Sequence, residues 1–172
     1  NNDLWPDIYI GNDMDTGNIF YENNGDGTFT DVSQILDINY LNNSTGFIAS
    51  FFDYDNDNDS DIYLVNDTFM KDFRQGNILW ENNINDNNKD VYFINKSTES
   101  NTNLQIFGMG LDIGDYNNDG YEDLFMSNIG RPYLLKNNQD KTFTDVTDIS
   151  GASYAHIKDV NTVSWGVNFF DY

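Results

Sequence analysis

The sequence predicts an all-β protein of three four-stranded, propeller-type blades. Three observations carry that expectation. First, the chain repeats itself. "DYDNDNDSDIYLVND" (53–67) lies over "DYNNDGYEDLFMSNI" (115–129) at an offset of 62 residues. "NNDLWPDIYIGND" (1–13) joins them when Asp7 is set on Asp61 and Asp123. Second, each repeat breaks into short apolar runs separated by Asn- and Gly-rich turns. Third, no stretch has the length or apolar spacing of a robust helix; "KDFRQG" (71–76) has room for one turn. Four short strands per repeat at this period suit propeller blades, whereas a β-solenoid uses shorter repeats.

Each strand has its own signal. Ile8-Tyr9-Ile10, Ile62 to Val65 and Leu124-Phe125-Met126 are short β-branched and aromatic runs, as expected of strands buried on both faces. A second block follows in each unit: "GNIFYENNGDGTFTDVS" (17–33), "GNILWENN" (76–83) and "RPYLLKNNQDKTFTDVT" (131–147). In the first of these, Ile19-Phe20-Tyr21 and Thr28-Phe29-Thr30 flank "ENNGDG", a hairpin in which Asn and Gly supply positive φ. Arg131-Pro132 opens a strand. A third block, "GFIASFFDY" (46–54), "FGMGLDIGDY" (107–116) and "WGVNFFDY" (165–172), supplies the remaining strand. The chain divides as one repeat region into units of about 1–52, 53–114 and 115–170, with 171–172 starting the next, and nothing between them resembles a linker.

The net charge of −21 excludes some functions. The acids are almost all Asp, and Asp and Asn favour turns over helix interiors, so the charge is built into loops. A chain this acidic repels nucleic acid and anionic membranes and attracts cations. Scattered acids such as Asp37 and Asp148 are read as solubilising charge. There is no cysteine, hence no disulfide or thiolate metal site. No apolar run approaches the ~20 residues of a membrane-spanning helix. No leader segment is visible; Asn1 is not an initiator methionine, so any targeting segment is expected to have been removed or omitted.

Between Asp53 and Asp61 every second residue is aspartate. Carboxylates ~4 Å apart repel by about 4 kcal/mol per pair at an effective dielectric near 20, yet apolar strands flank the cluster. Oxygen-bearing side chains at relative positions 1, 3, 5 and 9 are Asp53, Asp55, Asp57 and Asp61 in the second unit, and Asp115, Asn117, Asp119 and Asp123 in the third. The carbonyl at position 7, Asp59 or Tyr121, is placed to join them. Such a donor set matches the roughly 6–8 oxygen ligands of calcium better than magnesium, which dehydrates reluctantly. The lack of His or Cys disfavours zinc, copper and iron. Gly120, and Asn58 in its place, serve the sharp turn. An EF-hand is excluded, because its position-12 Glu would be Leu64 or Met126, inside a strand.

These stretches, with "FYENNGDGTFTDVS" and "FTDVTDISGA", resemble the FG-GAP and VCBS repeats of integrin-α-like propellers. The likeness is greatest to bacterial ASPIC/UnbV proteins and animal cartilage acidic protein, and it covers nearly the whole chain. It implies calcium-stabilised blades in secreted or surface proteins, commonly adhesive or ligand-binding, and it does not imply catalysis. No counterpart of the C-terminal module that often follows such repeats is expected within these 172 residues.

The ends carry a split loop. Asp171 and Tyr172 supply positions 1 and 2, while Asn1, Asn2 and Asp3 supply 3 to 5 and Asp7 supplies 9. Excision from a longer array explains such complementary ends; so does head-to-tail association that closes a ring or extends a filament. Three blades are few for a closed propeller.

Other chemistry is thin. His156, the one histidine, in "SYAHIKD", reads as a surface or packing residue. No nucleophile–base arrangement is visible, and no pair among the acids is marked out for glycoside hydrolysis. Trp5, Trp80 and Trp165 read as packing between blades before sugar stacking. The expected function is an extracellular, calcium-dependent structural or adhesive module without enzymatic activity, its partners being calcium, another copy, or an extracellular protein or glycan. The rival from another class is an accessory carbohydrate-binding part of a secreted carbohydrate-active enzyme.

Overall fold

The computed structural model describes residues 3–12, 17–36, 45–68, 75–83, 92–153 and 162–171. Within them lie three antiparallel meanders. The first sheet is β1 (Ile8–Ile10), β2 (Ile19–Asn23) and β3 (Phe29–Asp31). The second is β4 (Gly46–Phe52), β5 (Asp61–Asn66), β6 (Ile78–Asn82) and β7 (Phe93–Asn95). The third is β8 (Leu111–Gly114), β9 (Asp123–Met126), β10 (Tyr133–Asn137) and β11 (Phe143–Asp145). The only helices among the described residues are a 3-10 turn at Ser33–Ile35 and one α-turn, α1 (Thr147–Ser150). Residues 71–74 of "KDFRQG" lie outside the described residues.

The strands of the third block pair forward. β4 falls in the first sequence unit but joins β5 of the second sheet, with Phe52 opposite Asp61. β8 likewise joins β9, with Gly114 opposite Asp123. The reason is geometric: each acidic loop is the short connection of a hairpin, and a short connection makes its two strands antiparallel neighbours. The four strands expected of the first blade are therefore three among the described residues. Its leading strand would correspond to residues 165–172, whose described part runs elsewhere. Val163 bridges Ile129 just as Phe107 bridges Asp67, and Phe169 packs on Phe125 with ring centroids 5.9 Å apart. Residues 162–171 thus lie beside the third sheet where a further sheet would begin, without forming a strand.

Burial explains the apolar runs. β5 and β6 are buried at every position because alternate side chains serve two interfaces. Ile62 and Leu64 pack with Ile78, Trp80 and Phe20 toward the first sheet. Tyr63 and Val65 pack with Leu79, Leu124 and Met126 toward the third. β1 departs from the expectation of two buried faces: Ile8 and Ile10 are 41% and 38% exposed. These two share the face opposite Tyr9, which packs toward the second sheet, and among the described residues no further sheet covers that face. Where the first two sheets meet, a Cβ on Gly46 would lie 2.8 Å from Gly11 Cα, so only glycine permits that approach.

The β2–β3 turn takes its positive φ from Gly25 (73°) and Gly27 (89°), without help from Asn24. Asn24 instead donates its N–H to Thr28 O (3.0 Å), while Asp26 Oδ1 accepts from Thr28 N–H and Oγ1. The third sheet repeats this turn with Gln139 (66°) and Lys141 (67°) in the glycine positions.

Candidate metal centre

The second acidic loop, residues 53–60, closes the β4–β5 hairpin. Asn56 (φ 60°) and Asn58 (φ 70°) adopt left-handed backbone and curl the loop inward. Asp53 fastens the curl, accepting the N–H groups of Asp57 (3.1 Å) and Asn58 (3.0 Å), and Asp57 Oδ1 accepts the Asp59 N–H (3.0 Å). One oxygen each of Asp53, Asp55 and Asp61 then lie within 4.8 Å of one another. The third loop, residues 115–122, repeats the wiring. Asp115 accepts from Asp119 N–H (3.0 Å) and Gly120 N–H (2.8 Å), Asp119 accepts from Tyr121 N–H (3.1 Å), and Gly120 takes φ 89°.

The last aspartate of each loop has a structural duty. Asp61 accepts the N–H of Tyr54 (3.0 Å) at the loop's start and of Asn82 (2.8 Å) on β6. Asp123 does the same with Tyr116 (3.1 Å) and Asn137 (2.8 Å), and Asp7 accepts from Asn23 (2.9 Å). The asparagine returns a bond: its side-chain amide donates to Pro6 O, Ser60 O or Glu122 O. Sequence reasoning missed Asn23, Asn82 and Asn137, although their signal was present in the aligned "ENN", "ENN" and "KNN". Asn137 also donates to Tyr54 O (2.7 Å), and Asn56 Nδ2 to Gly120 O (3.1 Å), so the second and third loops are bound together.

Electrostatics in the second loop are strained. Burial pushes the Asp61 carboxyl up to about 8; the Asn82 and Tyr54 N–H groups oppose this, and the charges of Asp55 and Asp59 add to it. Asp59 is pushed up to about 6, by burial and then by the charges of Asp57 and Asp55. In the third loop, burial raises Asp123. Burial acts the same way on Asp119, but the Tyr121 N–H, the Asn117 and Gln139 side chains and Lys136 together hold it below the ordinary carboxylate range.

The donor set fits a hard divalent cation. Asp55 Oδ1 and Asp59 Oδ1 are buried with no hydrogen-bond partner, which is costly for a carboxylate unless a cation takes it. Every side-chain donor is oxygen, the preference of calcium and magnesium. Asp57 lies outside the converging trio, and Asp59 offers a buried side chain as well as its carbonyl. Asp115, Asp119 and Asp123 form no such three-carboxylate group; Asn117 holds position 3 and donates Nδ2 to Asp119 Oδ2 at 3.0 Å. Of the split loop, Asn1, Asn2 and Tyr172 lie outside the described residues, as do Asp37 and His156. Asp3 Oδ1 accepts the Trp5 N–H (2.8 Å), and Asp3, Asp7 and Asp171 do not converge as a group among the described residues.

Two surface expectations need correction. Asp148 is not scattered charge: it and Asp145 grip Arg131 at 3.0 and 2.9 Å, and Arg131 lies over the Tyr133 ring at 5.0 Å. Arg131 stands two residues before that ring at the strand entrance, where a planar guanidinium can bridge two carboxylates. Trp80 is fully buried, whereas Trp5 and Trp165 are 54% and 63% exposed. Trp5 rests against Gly25 beside a groove of about 670 Å³ between the first and second sheets, which Phe51, Tyr92 and Glu22 also line.

Among the described residues no helix is long and apolar enough to cross a membrane. No curated protein sequence matches the chain significantly. The profile of the FG-GAP-like repeat matches residues 1–64 and 115–172, well over half of the chain, and both complete acidic loops, 53–61 and 115–123, fall within the matched residues. Repeats of this family are generally structural or adhesive modules and typically occur in extracellular proteins. With its three antiparallel sheets and recurrent acidic hairpins, this chain belongs to the FG-GAP-like repeat family.

Proposed function

We propose that the protein is a calcium-binding, extracellular structural or adhesive repeat module whose loops gain rigidity from the ion. One observation carries the reading: Asp53, Asp55 and Asp61 converge, and the buried Oδ1 atoms of Asp55 and Asp59 have no hydrogen-bond partner. Asp53, Asp55 and Asp61 would hold the ion in the second loop with Asp59; Asp115, Asn117, Asp119 and Asp123 would hold it in the third, with the Tyr121 carbonyl. The ion supplies positive charge at the turn of each hairpin. The chain's own residues, Asp61 with Asn82 and Asp123 with Asn137, transmit that order to the strands. Extracellular modules bind calcium with Kd of roughly 10⁻⁴–10⁻³ M, suited to calcium outside the cell.

Asp119→Ala is expected to weaken calcium binding at the third loop at least tenfold. The thermal stabilisation that calcium confers should shrink with it, since an ion at 100 times its Kd contributes about 2.7 kcal/mol. Glu99, exposed and far from any loop in sequence, is the control; Asp148 is unsuitable because it pairs with Arg131. Calorimetric titration with thermal melts checks both. Equal effects of Asp119→Ala and Glu99→Ala would mean that bulk charge, not a site, governs the response.

Association with another copy is part of the same proposal. Leu4 and Trp5 before β1, and Trp165 and Phe170 in the segment beside the third sheet, expose apolar surface in the first and last described segments. Light scattering in calcium and in chelator is expected to show a calcium-dependent oligomer. A monomer in both conditions rejects head-to-tail assembly.

A further inference from the structure

The β10–β11 turn brings a cation onto the second acidic loop. Lys141 Nζ lies 2.6 Å from Asp55 Oδ2 and 3.5 Å from Glu81 Oε1, and 5.9 Å from the centre of the Tyr54 ring. The Asp55 side chain is only 2% exposed, so the ion pair is largely shielded from water on the carboxylate side. Glu81 in turn accepts a short hydrogen bond from Tyr54 Oη. The lysine thus comes from the third sheet and its partners from the second.

Internal comparison shows that the side chain is held there against the backbone's preference. Aligning "ENNGDGTFTDVS" with "KNNQDKTFTDVT" puts Lys141 opposite Gly27. Both positions have positive φ, 89° in Gly27 and 67° in Lys141. That conformation is unstrained for glycine and unfavourable for a residue with a β-carbon. A lysine at this point forgoes the easier residue and sets its ammonium on a buried carboxylate of the adjacent sheet. Among the described residues the third loop has only a longer lysine contact, from its own sheet: Lys136 Nζ stands 3.9 Å from Asp119 Oδ2, against 2.6 Å for Lys141 on Asp55.

We propose that Lys141 is a built-in competitor for the second loop's cation: its ammonium neutralises Asp55 when calcium is scarce and lowers the loop's calcium affinity. The inference rests on the reading of the loops as calcium sites. Asp55 Oδ2 carries the ammonium while Oδ1 is buried and unpartnered. A divalent ion taken up beside Oδ1 would sit within a few ångströms of a positive charge. Calcium binding must then either bear that repulsion or displace the lysine, and with it the contact between the third sheet's turn and the second loop. The affinities of the two complete loops are thereby separated, and the weaker is coupled to the inter-sheet contact.

The test is calcium titration by calorimetry and thermal melting of the full chain as wild type, Lys141→Met, Lys141→Arg and Asp55→Asn. Methionine removes the charge but keeps a β-carbon, so the backbone cost at this turn is unchanged. Asp55→Asn identifies the second loop's binding event by its loss. Lys141→Met is expected to bind calcium at that loop roughly tenfold or more tightly, as removal of a nearby like charge requires. It should melt lower than wild type in chelator and close to wild type in saturating calcium, and Lys141→Arg should behave as wild type in both. A purely structural clamp would lower melting in both conditions and leave affinity unmoved. Unchanged or weaker calcium binding in Lys141→Met overturns the inference and leaves the calcium reading intact. Absence of any calcium binding in the wild-type protein overturns both.

Discussion

Asp61→Ala is expected to destabilise the protein by about 2–6 kcal/mol in chelator, and to abolish calcium binding at the second loop. The first effect does not depend on any ion. Asp61 is 1% exposed and accepts two backbone N–H groups, from Tyr54 and Asn82. Each buried donor left without a partner costs about 1–3 kcal/mol. Part of that loss is offset, because burial already disfavours the charged carboxylate and holds its carboxyl near 8. Asp61→Asn separates the two duties. The amide keeps one acceptor oxygen at nearly the same volume but removes the anionic ligand. Its unfolding free energy in chelator should fall by about 1–3 kcal/mol, the cost of one lost pairing. The added stability conferred by calcium on the second loop should vanish in both variants. Urea unfolding with and without calcium measures each quantity. If Asp61→Asn retains the full calcium stabilisation, Asp61 belongs to the scaffold and not to the ligand set.

Much of this was legible in the sequence because the repeat aligned equivalent residues three times. β1, β5 and β9 fall on Ile8–Ile10, Ile62 to Val65 and Leu124–Met126 within a residue or two. The left-handed positions at Asn58 and Gly120 followed from the sharp turn that the loop requires. What the one-dimensional repeat concealed was pairing. The third block reads as the end of a unit, yet the short acidic loop makes it the start of the next sheet. The asparagines of "ENN" and "KNN" were visible as a motif, but only the fold shows that their N–H groups meet Asp7, Asp61 and Asp123. Lys141 was beyond reach for a related reason. Its partner Asp55 lies in the acidic loop of a different sheet, and no local spacing rule connects a turn with its neighbour's loop.

Trp80→Ala is expected to cost about 3–5 kcal/mol, the range for removing a large aromatic from a core, and to loosen the first sheet before the others. Trp80 is fully buried on β6, between Ile62, Ile78 and Phe93, and its Nε1–H donates to Tyr9 Oη on β1 at 3.2 Å. That bond is a direct tie between the first two sheets. The first sheet needs it more than the others do. It has three strands among the described residues, an exposed face at Ile8 and Ile10, and all three residues of β3 are exposed. Most of its apolar burial comes through Phe20, which packs in the same cluster as Trp80. Removing the indole therefore takes away both the filler of that interface and the polar anchor on Tyr9. A double-mutant cycle with Trp80→Phe and Tyr9→Phe isolates the anchor, with an expected coupling of about 0.5–1.5 kcal/mol for a neutral hydrogen bond. Amide exchange locates the damage. In Trp80→Ala, protection should fall most in β1 and β2 and least in β9 and β10, because the cluster shared by the second and third sheets, built on Tyr63, Val65, Leu124 and Met126, is untouched. Uniform loss of protection across all three sheets would instead make them a single cooperative unit, and ion binding at any one loop would then stabilise the whole row.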